Sequence, residues 1–144
     1  MCFYILKNMG FIHQRITIVR TTKPSSESIN EQLQWFGASL GLFNFRDKDK
    51  SCFRIFIELV KASKKRGPIS SDELAEKLNL SRGTIIHHIK KLMASGIVVS
   101  DRNKYMLRES NLSVLIDEIE KDIIRSCSDL KEVSAEIERG INFG

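Results

Sequence analysis

The stretch Ile69–Tyr105 reads ISSDELAEKLNLSRGTIIHHIKKLMASGIVVSDRNKY, and its punctuation decides the fold. Ser70 or Ser71 supplies a side chain that caps a helix, and Asp72 and Glu73 fall in the first turn, where the helix dipole favours negative charge. Leu74, Ala75 and Leu78 share one face of this short helix. Asn79 tolerates the left-handed backbone of a tight turn, Leu80 fills the elbow, and Ser81 caps a second helix. There Ile85, Ile86, Ile89, Leu92 and Met93 follow the i, i+3, i+4, i+7 spacing of a helix buried along one stripe. At about 100° per residue all five lie within roughly 60° of Ile89. Thr84, His87 and Lys91 point the opposite way, with Gly83, His88 and Lys90 on the flanks. Gly96 suits the left-handed residue that ends a helix. Ile97, Val98 and Val99 then open a β-branched run, Asp101–Lys104 is a charged turn, and Tyr105, Met106 and Leu107 run back. The pattern is a helix-turn-helix with a β-wing.

The flanks extend this unit on both sides. Ser28 with Glu31 is a capping pair, and Ile29, Leu33, Phe36, Leu40 and Phe43 follow at spacings of four and three, the seam of a coiled-coil-like helix. Gly37, Ala38, Ser39 and Gly41 lie between them, which predicts a close backbone neighbour or a break near Gly41. A further helix is expected to open at Asp47–Asp49, with Phe53, Phe56, Leu59 and Val60 on one face and Ile55 and Ile57 beside it. Ala62–Gly67 (ASKKRG) reads as a basic loop closed by Pro68. Beyond the wing, Asn111 caps a last helix whose apolar stripe is Leu112, Ile116, Ile119, Ile123, Cys127, Leu130, Val133, Ile137 and Ile141, a spacing near 3.6. A helix of roughly 30 residues spans roughly 45 Å, more than so small a domain covers alone. Part of its stripe is therefore expected to meet a second subunit, with the seam of the first helix as its companion. Near the N-terminus Ile16–Val19 has strand composition and Pro24 follows, so residues 1–24 read as a strand or arm. The divisions are thus 1–24, 25–47 for a first dimerisation helix, 48–108 for the winged helix-turn-helix, and 109–144 for a second dimerisation helix. The fold class is mainly α with a small β-wing, α+β.

Charge is distributed unevenly. The chain of 144 residues carries a net charge of +5. From Lys48 to Arg108 there are 14 Lys and Arg against 6 Asp and Glu, a net of +8, whereas Glu109–Gly144 carries 4 against 9, a net of −5. Positive charge concentrated on the helix-turn-helix indicates a polyanionic partner. Cys2, Cys52 and Cys127 stand far apart with no CxxC pair, which argues against a disulfide scaffold or a zinc ribbon and fits a reducing compartment. No apolar run approaches the length of a membrane span, and the opening MCFYIL lacks the features of a secretory leader. A soluble, cytoplasmic protein without membrane association is expected.

Preceded by ISSDELAEK, the run LNLSRGTIIHHIKKLMASGIVVSDRNKYML resembles the winged-helix transcription regulators of the ArsR-like class, in particular archaeal members. The resemblance covers roughly residues 50–107 and carries the elements LSxxTIxHHIxKL, a small residue, Gly, a hydrophobic strand and a wing. It implies a homodimer, joined through the first and last helices, that binds operator DNA with the second helix of the motif, residues 82–94, in the major groove and the wing, residues 97–107, near the backbone. Metal-responsive members carry paired cysteines in that helix or carboxylate and histidine ligands on the last helix, and this sequence has neither. His87 and His88, about 100° apart on a helix, do not converge on one ion. Neither metal nor cofactor is expected, and the effector is left open.

The division of labour follows from side-chain chemistry. The helix N-terminus at Ser81 offers amides for a phosphate, with Arg82 and Gly83 alongside. Thr84, His87 and Lys91 reach base edges, with His88 on the flank. Lys64, Lys65, Arg66, Lys90, Arg102 and Lys104 supply sequence-independent affinity to double-stranded DNA. Ile29, Leu33, Trp35, Phe36, Leu40, Phe43, Leu112, Ile116, Ile119, Ile123, Cys127 and Leu130 form the dimer interface. Two-fold symmetry then predicts a near-palindromic operator with half-sites about one helical turn apart. The competing expectation is a winged helix serving as a protein-interaction module in a transcription or chromosome-organising complex; the +8 segment weighs against it. No nucleotide loop, nucleophile–base pair or pair of carboxylates suggests an enzyme.

Overall fold

The architecture was obtained as a computed structural model, which describes residues 13–44 and 48–141. Cys2 and the first half of the expected N-terminal strand or arm lie outside the described residues, as does Asp47. Among the described residues are five helices, α1 (Ile29–Ser39), α2 (Ser51–Lys65), α3 (Ser71–Leu78), α4 (Arg82–Ala94) and α5 (Leu112–Gly140), and three strands, β1 (Ile69–Ser70), β2 (Val98–Asp101) and β3 (Lys104–Leu107). The fold is a winged helix-turn-helix of the α+β class, with a long C-terminal helix. The chain falls into two compact units, residues 1–110 and 111–144.

In the first unit the caps form where side-chain chemistry predicts. Ser28 Oγ accepts from the Glu31 amide, Ser70 Oγ from Glu73 and Ser81 Oγ from Thr84. Asn79 adopts the left-handed turn between α3 and α4 (φ 53°, ψ 47°), and Gly96 does so after α4 (φ 84°). Helix α2 is central, packing on α3, α4 and β3. Its Cys52, Ile55, Leu59 and Ala62 are buried at helical spacing, with Phe53 and Phe56 beside them. Leu74 of α3, Ile85, Ile89 and Leu92 of α4, and Ile97 and Val98 are likewise all but inaccessible. Ile86 and Met93, expected within the buried stripe of α4, are half-buried at its edges.

The sheet has the order β1-β3-β2 and is antiparallel throughout. The wing hairpin pairs Val98 with Leu107 through Asp101 with Lys104. Strand β1 adds Ile69 opposite Tyr105 and Ser70 opposite Lys104. This third strand was not anticipated, because two residues carry no periodicity from which to read it.

Three boundaries differ from expectation. The first helix stops at Ser39 instead of running through Leu40 and Phe43, because Gly41 turns the chain at φ 72°. A Cβ there would lie 2.6 Å from Thr17 Cγ2, so only glycine fits both the conformation and the neighbour. Leu40 and Phe43 are consequently folded inward; Phe43 packs on Phe53 with ring centroids 4.9 Å apart, and Phe36 stacks on Phe56 at 6.1 Å. The close neighbour of Gly37 is the Phe53 ring, where an added Cβ would stand 2.5 Å from Cδ2. Helix α2 starts at Ser51, after Lys50 in a left-handed conformation, and Asp49 satisfies its first turn: Oδ2 accepts from Ser51 Oγ at 2.7 Å and Oδ1 from the Ser51 amide at 3.3 Å. Lastly, Ala62–Lys65 is the closing turn of α2 and not a loop.

Residues 13–27 take part in no strand, Ile16–Val19 included. They form a strap held at two points: the Arg15 amide donates to the Ala94 carbonyl at 2.8 Å and the Val19 amide to the Ser39 carbonyl at 2.7 Å. Both acceptors are carbonyls in the last turn of a helix, where no intrahelical donor remains.

The second unit is α5, capped by Asn111, whose Oδ1 accepts from the Val114 amide at 3.1 Å. Its 29 residues span about 44 Å. Leu115, Glu118, Ile119 and Asp122 are buried, with Glu118 paired to Lys121 and Asp122 to Arg125. From residue 124 to 141 every side chain is exposed, including Ile124, Cys127, Leu130, Val133, Ile137 and Ile141.

Candidate nucleic-acid interface

Helix α4 is held from behind by Ile85, Ile89 and Leu92, and its other face carries the polar chemistry. Arg82, Gly83, His87, Lys90 and Lys91 are exposed; Thr84 and His88 are half-buried. The N-terminus is closed by a short network. Ser81 Oγ accepts from the Thr84 amide at 3.1 Å, and the two hydroxyls stand 2.8 Å apart. Thr84, expected to reach outward, thus has its hydroxyl engaged in the cap. Arg82 Nε lies 3.7 Å from Asp72 Oδ1 across the turn, both side chains well exposed. Such a pair is worth roughly 0–1 kcal/mol, so Arg82 is easily drawn to a stronger anion.

His87 and His88 meet edge to face, with ring centroids 5.2 Å apart. They diverge beyond that contact: His87 borders a cavity of about 340 Å³ together with Lys90 and Lys91, whereas His88 borders another of about 330 Å³ with Asp49 and Ser51. The two Ser51 hydrogen bonds, chiefly that from its hydroxyl, hold the Asp49 carboxyl below the ordinary carboxylate value, with a smaller contribution from the field of His88. Among the described residues no three His, Cys, Asp or Glu side chains gather as a metal-binding group. Cys52 is buried and Cys127 exposed, and neither forms a disulfide among the described residues.

The wing tip is a turn made from two left-handed residues, Arg102 (φ 52°) and Asn103 (φ 64°). This is the two-residue hairpin turn in which Asn and Gly are at ease and Arg is not. Arg102 and Lys104 are both exposed. Of the basic run at the end of α2, Lys65 and Arg66 are exposed, and Lys64 donates from Nζ to the Ser110 carbonyl at 2.7 Å.

Against this geometry, the profile of the HTH domain family matches residues 57–106, from the middle of α2 to the end of β3. Residues 57–106 are a helix-turn-helix domain. The two helices of the motif are α3 and α4. No curated protein and no solved structure matches the chain. No helix among the described residues is long and apolar enough to cross a membrane.

Sequence reasoning did not find the strap. Residues bordering the cavity beside His87 include Arg15 and Thr17, brought there by the backbone bond to Ala94. Nothing in the local spacing of residues 13–19 announces a contact some eighty positions along the chain.

The twelve residues named for a subunit interface fall into two sets. Leu40, Phe43 and Ile119 are buried within the single chain. Ile29, Cys127 and Leu130 are exposed, and Leu33, Trp35, Phe36, Leu112, Ile116 and Ile123 are half-buried.

Proposed function

We propose that the protein is a homodimeric, sequence-specific regulator of transcription that binds double-stranded DNA, with α4 in the major groove and the wing on the phosphate backbone. The observation that carries this reading is the split character of α4: three inaccessible aliphatic side chains anchor one face, and Arg82, His87, Lys90 and Lys91 are exposed on the rest. In this reading His87 and Lys91, with Thr84 beside them, meet base edges, and Ser81, Arg82 and the first amides of α4 hold a phosphate. Lys65, Arg66, Lys90, Arg102 and Lys104 supply phosphate contacts, and Lys64 joins them by exchanging its carbonyl partner for a phosphate.

The dimer rests on the exposed stripe of α5 and on Ile29 and Leu33 of α1. The resemblance to ArsR-like regulators supports the same two helices and the reading of a cytoplasmic operator-binding protein. Two reading heads related by a two-fold axis select a near-palindromic operator.

The test is selection of bound fragments from random duplex DNA, followed by titration of the selected site with the parent and with the triple variant Arg82→Ala, His87→Ala, Lys91→Ala. All three side chains are exposed, so the variant is expected to keep its fold and oligomeric state while losing at least about 100-fold in operator affinity. Unchanged affinity would remove α4 from the interface. Failure to select any DNA, with capture of a protein partner through the same face, would favour the protein-interaction module.

A further inference from the structure

We propose that the cavity between the N-terminal strap and α4 is an effector site for a small organic carboxylate, and that filling it releases the protein from DNA. The cavity measures about 340 Å³, within the range of roughly 300–1,000 Å³ in which small-molecule sites fall. Its apolar part includes Leu40, Leu42 and Leu92, all buried. Its polar part is one-sided: Arg15 from the strap and His87, Lys90 and Lys91 from α4, with no Asp or Glu among the described residues that border it. Cationic groups gathered around one concavity repel each other until an anion lies between them. An apolar body with a single carboxylate therefore matches the site better than a bare inorganic ion.

The strap makes this a half-open cleft instead of a bare helix face. Its Arg15 amide closes on the Ala94 carbonyl, and Gln14 Nε2 reaches the Ser95 carbonyl at 3.4 Å. The backbone of Arg15 is thereby held beside the end of α4 by its own amide, which leaves its guanidinium unused by that bond.

Coupling to DNA follows from shared residues, and this half of the proposal rests on the DNA-binding reading above. His87 and Lys91 border the cavity and also belong to the face assigned to base edges. A carboxylate that engages them withdraws the Lys91 charge and the His87 ring donor from the groove, and a duplex that engages them withdraws both from the carboxylate. By linkage each ligand weakens the other by the same factor.

Octanoate serves as the probe, octanamide as its uncharged counterpart and inorganic phosphate as charge without an apolar body. Calorimetric titration of the full chain in the absence of DNA is expected to show octanoate binding at least about ten-fold tighter than either control. Arg15→Gln, which keeps the main-chain bond to Ala94, is expected to weaken octanoate at least about ten-fold while changing operator affinity by less than about three-fold. Saturating octanoate is expected to weaken operator binding by about ten-fold or more in the parent and far less in the variant. Equal binding of octanoate and octanamide, no octanoate binding up to ~10 mM, or an Arg15→Gln variant that binds octanoate as the parent does would each overturn the site. Octanoate binding without effect on the operator complex would overturn the coupling. Carboxylate binding in a protein that selects no DNA sinks the regulatory reading and leaves the cavity assignment standing, so the two failures are separable.

Discussion

Arg102 sits at φ 52° in the wing turn, a conformation that costs an ordinary L-residue roughly 1–2 kcal/mol relative to the right-handed region. A residue kept in such a place serves something other than stability, and its guanidinium at the exposed tip is suited to a phosphate. Arg102→Gly is expected to raise stability by about 0.5–1 kcal/mol in urea melts while weakening DNA binding and lowering the salt slope by about one per subunit. A variant that gains stability and binds as before would show that the tip stays clear of DNA. Asp49 is a second informative residue. Its depressed folded-state titration means that its carboxylate contributes stability above the ordinary value of 3.8, and that the contribution disappears as the pH falls through the lower folded value. Asp49→Asn removes the charge together with one of the two oxygens that accept from Ser51. The variant is expected to be the less stable at neutral pH, with the two melting curves converging in strong acid; parallel pH profiles would show that the charge plays no part.

At the scale of elements, α5 poses the main question. Leu130 and Ile137 are 66% and 51% exposed, as are their neighbours on the stripe, so neither contributes to the fold of a single chain. Replacing both with glutamate is expected to convert the proposed dimer to a monomer in sedimentation experiments while leaving the helical circular dichroism signal intact. A dimer that persists would move the interface to α1 alone. Legibility in the sequence also divides by element. Helices α3 and α4 were readable at both ends, and α5 at its start, because Ser70, Ser81 and Asn111 cap their own amides within three residues, and Asn79 and Gly96 turn the chain locally. Helix α1 misled because apolar spacing cannot distinguish a helix that continues from one that stops and folds its next two large residues, Leu40 and Phe43, inward. The closing turn of α2 misled for the opposite reason: Ser63, Lys64 and Lys65 have loop-like polarity, yet their backbone continues the helix up to the Arg66 cap. Of the candidate interface, the faces of α4 followed from periodicity. The engagement of the Thr84 hydroxyl and the approach of Arg15 to Lys90 and Lys91 did not, since both depend on contacts that composition does not encode.

Across the whole molecule the decisive property is charge segregation, +8 on residues 48–108 and −5 on residues 109–144. If each subunit neutralises about three phosphates, a plot of log affinity against log salt for the dimer should have a slope of about −5. A slope near zero would contradict the electrostatic part of the mechanism. The acidic helix in turn discourages the chain from wrapping DNA indiscriminately, which favours a defined footprint over general adhesion.

Strand β1 is only two residues long, yet Ser70 pairs with Lys104 of the wing and also caps α3. The wing is thereby riveted to the helix-turn-helix at the very residue that begins it, and the reading head behaves as a rigid caliper. A caliper of fixed jaw angle does not adapt to an operator of altered pitch. In the proposed dimer, curvature between half-sites would be taken up by the duplex or by the joint between the two copies, so operators with easily kinked pyrimidine–purine steps at their centres are expected to be preferred at base pairs the protein never touches.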